Sequence, residues 1–172
     1  MPLEKFRVFA MLELVELIID VSNVAWEGVL KSPGQNPRYS NIALCLEHYK
    51  DKLHKKLIAD ASLLQLIDDK ASFQKELGNG GIVLSPAGKK TEDFMLELAR
   101  GSPDAKIVTN RTFLDYLTQA FKDGDLRLIS PLLKRERFIR FKISYGCFIE
   151  LPYEIDFHDE NVEQDPESPI HV

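Results

Sequence analysis

Five carboxylates follow closely on short apolar runs. Asp20 ends LIID and Asp60 ends KKLIAD. Glu92 and Asp93 follow GIVLSP, and Asp115 follows AKIVTN. Carboxylates brought together repel and raise one another's pKa. A fold holds several at one spot cheaply when a cation neutralises them, and hard oxygen donors in that number suit Mg²⁺ or Mn²⁺. Such an ion activates water, orients a phosphate and neutralises charge that develops in a transition state. Other chemistries find little support. There is no GxSxG, and His48, His54, His158 and His171 show no zinc spacing. Cys45 and Cys147 lack metal-ligand spacing and read as free, buried thiols. GNGG (Gly78 to Gly81) precedes a strand rather than a helix, which disfavours a nucleotide-binding loop. The bland alternative is capping: acids are favoured in the first turn of any helix, Thr91 reads as an N-cap, and Asn23 suits a turn.

The elements that would position these acids alternate. ELIID (16–20), KKLIAD (55–60), GIVLSP (81–86) and AKIVTN (105–110) are predicted strands. NIALCLEHYKDKL is a predicted helix with Ile42, Leu46, Tyr49 and Leu53 on one face. ASLLQLIDDKASFQKELGNG suggests one broken helix or two short ones; TEDFMLELAR and RTFLDYLTQAF are further helices. RFIRFKIS and CFIEL, flanking Tyr145-Gly146, look like a closing hairpin. WEGVLKSPGQNPRYS reads as a loop long enough to be functional. This alternation predicts a three-layer α/β/α sandwich around a mainly parallel sheet. Ligands bind outside the carboxyl ends of such strands, and all five acids fall on that edge.

The chain has 172 residues, 44% hydrophobic and 28% charged, enough for one domain with a core. A domain over 1–155 and an acidic, disordered tail over 156–172 are expected. No apolar run is long enough to cross a bilayer, and the apolar patches at the N-terminus are broken by charges, unlike a signal peptide. Unpaired cysteines suggest the cytoplasm. The net charge of −5 argues against coating nucleic acid through bulk charge, but local patches decide that for an enzyme.

Several segments together resemble the regnase-type NYN ribonucleases of the PIN-like nuclease superfamily. IIDVSNVA resembles the family's I-D-G-S-N-V-A signature. GIVLSPAGKKTEDFMLELA is similar to its strand, loop and acidic pair heading a helix. KIVTNRTFLDYL resembles its I-V-S-N-D-x-[FY]-x-D-L segment, and FIRFKISYGCFIELP its final strands. The resemblance covers roughly residues 15–152 and implies a PIN-like fold and metal-dependent, endonucleolytic cleavage of single-stranded RNA. It carries the family's acids onto Asp20, Asp93 and Asp115, with Glu92 beside them, as ligands of Mg²⁺ or Mn²⁺. Asn23 becomes a positioning residue, and Asn110 matches the family's Asn after strand four. Asp60 rests on position alone.

Two positions depart from the family pattern. Val21 replaces a Gly after the first Asp, and Arg111 replaces the acid that follows Asn110. A cation at 111 weakens a metal site if it points inward; otherwise it contacts substrate phosphate or turns to solvent. RNA contacts are expected from Ser22, Arg38, Asp60, Lys89, Lys90, Asn110 and Arg111, and KRERFIRFK (134–142) adds cations interleaved with Phe138 and Phe141. Trp26 is a candidate for base stacking, against the commoner partly buried loop Trp. The competing account is a domain that has lost its metal and serves as an RNA-binding or protein-interaction scaffold. PIN-like domains often pair, so a homodimer is a further expectation, and the acidic tail offers a protein partner a docking segment.

Overall fold

The computed structural model describes residues 15–152, apart from 125 and 128. The expected tail therefore lies outside the described residues. Six strands form one sheet: β1 (Leu17–Asp20), β2 (Lys55–Ala59), β3 (Ile82–Leu84), β4 (Lys106–Val108), β5 (Phe138–Ser144) and β6 (Cys147–Leu151). Their spatial order is β3-β2-β1-β4-β5-β6. All pairings are parallel except β5 with β6, the hairpin expected around Tyr145-Gly146.

The helices are α1 (Val21–Trp26), α2 (Tyr39–His48), α3 (Leu63–Leu66), α4 (Lys70–Gly78), α5 (Thr91–Gly101) and α6 (Leu114–Asp123), with 3₁₀ turns at Ser130–Leu133 and Arg135–Arg137. They cover both faces of the sheet. Leu17, Ile19, Leu57, Ala59 and Val108 point to one face, where Val24, Ile42, Leu63 and Phe73 of α1 to α4 pack on them. Ile18, Ile58 and Ile107 point to the other, against Met95, Leu96 and Ala99 of α5 and Ala120 of α6. Strands buried on both sides must be apolar at every position, which is why LII in β1 shows no alternation. The three-layer α/β/α sandwich is thus as expected.

Three local readings differ. The chain after Asp20 goes straight into α1 instead of a turn. The helix at NIALCLEHY ends at His48, and Leu53 lies beyond it, exposed. Cys45 is buried as expected, but Cys147 is exposed next to the hairpin turn, although both thiols are free. Among the described residues, no helix is long and apolar enough to cross a membrane.

The topology fixes one location. From β1 the chain works outwards to β2 and β3, then returns to the other side of β1 as β4. The loops that leave β1 and β4 therefore diverge, and open sheets have their ligand crevice at such a switch point. Asp20 stands at the tip of β1, and Thr109, Asn110 and Arg111 follow β4.

Candidate functional site at the carboxyl edge of the sheet

Asp20 is fully buried. Its Oδ1 accepts the Asn23 backbone N–H at 3.0 Å, the N-cap bond of α1. Its Oδ2 accepts from the Thr109 hydroxyl at 3.0 Å and from Arg111 Nε at 2.6 Å. The same guanidinium donates through Nη1 to Glu92 Oε1. Arg111 therefore bridges the carboxylate at the end of β1 and the one in the first turn of α5. Burial raises the Asp20 carboxyl above its ordinary range, while the Arg111 guanidinium, the Asn23 N–H and the Thr109 hydroxyl pull it back. Burial works against the Arg111 charge in turn, but the carboxylates of Asp20, Glu92 and Asp60 more than offset it.

The loop that presents Arg111 is held on every side. The Asn23 side-chain oxygen accepts the Asn110 backbone N–H at 2.6 Å. The Asn110 amide donates to the Phe141 carbonyl at 2.8 Å and to Glu27 at 3.1 Å, while its oxygen accepts the Phe141 N–H at 3.0 Å. Arg111 N–H donates to the Thr109 hydroxyl oxygen at 3.1 Å. Arg140 Nη1 donates to the carbonyls of Thr109, at 2.8 Å, and Arg111, at 2.6 Å. Phe113 closes the loop in a left-handed conformation, φ 55°, with its ring buried in the core. A bulky residue holds φ > 0 only where its surroundings fix it.

The remaining candidates sit around this bridge. Ser22 Oγ accepts the Asp60 backbone N–H at 2.7 Å, joining α1 to the end of β2. The Asp60 carboxylate accepts the Ser62 N–H, at 2.8 Å, and lies 3.4 Å from the Thr91 hydroxyl. Those hydrogen bonds, Ser62 first, lower its pKa. Burial first, then the charge of Asp93, oppose the ionisation of the Tyr116 phenol. Asp115 is exposed in the first turn of α6. Lys89 pairs with Glu97, and Lys90 lies over the Tyr116 ring. Arg38 is exposed just before α2. Trp26 is half-buried beneath Lys31.

The expected convergence of Asp20, Asp93 and Asp115 is not what the structure shows. Among the described residues, no three acids, histidines or cysteines are gathered into a group able to hold a metal ion. Asp20 and Glu92 are brought together, but around a guanidinium that takes one oxygen of each and places a positive charge where an ion would sit. As arranged, the residues do not fit Mg²⁺ or Mn²⁺. KRERFIRFK is also less of a basic track than its composition suggests. Arg137 is buried and donates to the carbonyls of Ala99, Ser102 and Ala105, closing the end of α5, and Arg140 is spent on the 109–111 backbone.

Sequence reasoning missed Thr109 and Glu27 as members of the site, and took Arg140 only as one cation of a basic track. Thr109 carried a signal, a hydroxyl at the first position after an apolar strand. The other two act through contacts across the fold and carried none. It also missed a groove of ≈ 630 Å³ between the start of α2 and the hairpin, lined by Arg38, Ser40, Leu44, Ile143 and Tyr145. Because β5 runs parallel to β4 and continues past its end, this groove opens on the same edge as Asp20. Tyr145 is fully exposed at its lip.

Comparison with known proteins agrees with this architecture. The model of the Zc3h12a-like ribonuclease NYN domain matches residues 13–146. No curated protein matches the sequence. Two solved structures of Arabidopsis thaliana nuclear protein-only RNase P 2 share the fold. One superposes with a TM-score of 0.62 at 16% identity, the other with 0.60 at 14%, each over 87% of this chain. This chain spans 32% of either of them, so the likeness is to one part of a larger protein. The chain belongs to the Zc3h12a-like ribonuclease NYN domain family.

Proposed function

We propose that this ribonuclease-family domain engages single-stranded RNA across the carboxyl edge of its sheet, and that its hydrolytic centre is closed while Arg111 bridges Asp20 and Glu92. The bridge is the observation that carries this reading. RNA as the class of ligand is supported by the family and by structural neighbours named for RNase P. The groove supports a route for it. Tyr145 offers an open ring face for a base, and Arg38 a cation for a phosphate. Base stacking on an aromatic contributes about 1–3 kcal/mol. The free thiols support a cytoplasmic site of action.

In this arrangement the chain's own residues bind and orient; no hydrolytic step follows from them. Asn23 and Asn110 fix the loop beside the crevice, and Arg140 ties that loop to β5.

A second reading is hydrolysis of single-stranded RNA with Mg²⁺ or Mn²⁺ once Arg111 leaves the bridge. It is favoured by Asp20, Asn23, Glu92, Asp93, Asn110 and Asp115 following one another in the order of the resemblance, and by the 31% of the Arg111 side chain that is open to solvent, where a phosphate could draw it away.

Labelled single-stranded RNA separates the two. Wild type is expected to bind it in EDTA and leave it intact in Mn²⁺, and Tyr145→Ala to bind roughly 5- to 100-fold more weakly. Cleavage in Mn²⁺ that Asp93→Asn abolishes puts the second reading first. Absence of binding in either condition removes RNA engagement altogether.

A further inference from the structure

We infer that Arg111 is a built-in counter-cation that stands in for a divalent ion between Asp20 and Glu92, so that the identity of this one side chain decides whether the edge takes up a metal. The inference deepens the proposed reading of a closed edge, but its test is ion binding and requires no RNA.

Three observations carry it. The first is need: a fully buried carboxylate requires a positive partner or a proton. The partner present is Arg111, whose Nε lies 2.6 Å from Asp20 Oδ2. The second is geometry. A guanidinium is a planar fork that serves two acids at once, and this one serves acids from two different elements, β1 and α5. An ion shared between the same elements would have the same neutralising task.

The third observation is the loop. Its course is set by bonds that do not involve the Arg111 side chain: Asn110 to Asn23 and Phe141, Arg140 to the carbonyls of Thr109 and Arg111, and the buried Phe113. The backbone therefore delivers position 111 to Asp20 whichever residue stands there. An acid at this position faces Asp20 and Glu92, and a shorter one vacates the volume the guanidinium fills. Three carboxylates without a cation repel strongly and recruit a hard divalent ion. Lys89 and Glu97 provide the contrast, an ion pair open to solvent on one helix and its lead-in.

The test is a Mn²⁺ titration of the full chain followed by thermal unfolding, with Mn²⁺ electron paramagnetic resonance as a direct count of bound ion. Wild type and Arg111→Lys are expected to show no change in Tm and no specifically bound Mn²⁺. Arg111→Asp is expected to have a lower Tm in EDTA and to gain roughly 5–10 °C at saturating Mn²⁺. Adding Glu92→Gln should remove most of that gain. If Arg111→Asp is unfolded in EDTA, folding induced by Mn²⁺ supports the inference equally. If it stays unfolded in Mn²⁺, Arg111→Ala decides by the same titration. Specific Mn²⁺ binding by wild type that depends on Glu92 overturns the inference. So does a lack of response in both Arg111→Asp and Arg111→Ala. RNA binding in EDTA, assayed separately, can fail while these results stand, and then only the proposed function is lost.

Discussion

Asp20 has two structural jobs at once. Its Oδ1 caps α1, and its Oδ2 receives Thr109 and Arg111. A sequence reading offers capping and chemistry as alternatives because a single carboxylate is rarely seen from both sides; two oxygens let it serve both. Removing one partner of a buried ion pair typically costs ~3–5 kcal/mol, and the partial exposure of Arg111 places Arg111→Ala towards the lower end of that range. Chemical denaturation measures it. The loss should also depend on pH. Without the guanidinium, burial raises the Asp20 carboxyl further above its unfolded value of 3.8. A carboxyl raised in the folded state favours folding least once it must ionise, so stability falls as pH climbs from the unfolded value through the folded one. Relative to wild type, Arg111→Ala should therefore be closer in stability at about pH 5 than at about pH 8. Equal deficits at both would mean that Asp20 finds another cation.

At the scale of elements, the decisive piece is the loop after β4. Asn110 answers both the N–H and the carbonyl of Phe141. Asn110→Ala strands these buried groups and is expected to cost about 1–3 kcal/mol, seen as a lower denaturation midpoint. Arg137 has a comparable part at the end of α5, where its donors satisfy three carbonyls. Arg137→Ala should lower Tm while leaving RNA affinity unchanged; a drop in affinity alone would restore the basic-track reading of KRERFIRFK. Strand and helix positions were legible because burial on both faces writes a continuous apolar run for β1, short apolar runs mark β2 to β4, and helical spacing marks α5. The start of α1 was not, since VSNVAW is too short to show a period. The partners of Arg140 were not legible either, since a charged residue in an alternating strand looks the same whether it faces water or a carbonyl.

At the scale of the molecule, the strand order is what makes distant residues neighbours. Parallel pairing puts the ends of β1, β2, β3 and β4 on one edge; of the five acids expected there, Asp20, Glu92 and Asp60 are the ones whose charges act on Arg111. The sequence could not show which side chains would converge. Asp93 acts on Tyr116 and is half-buried, while Asp115 is exposed. Arg111 was the visible departure, and its direction had three open outcomes; the over-determined loop selects the inward one. Whole-molecule charge leads to a further expectation. With a net charge of −5, and with Arg111, Arg140 and Lys89 already paired among the described residues, RNA binding should rest more on stacking than on phosphate contacts. The slope of log affinity against log salt should then be shallow, corresponding to about one or two phosphates at ~0.7 per contact. A steep slope would point to a basic surface elsewhere.

The two cysteines differ in a way that is useful experimentally. Cys45 is buried in the core, and burial together with Glu150 pushes its thiol up to about 12, so it should resist alkylation in the native state. Cys147 is exposed two residues from Tyr145. A maleimide dye should therefore attach to the native chain at one place only, the lip of the groove, giving a reporter of occupancy there without any engineered substitution.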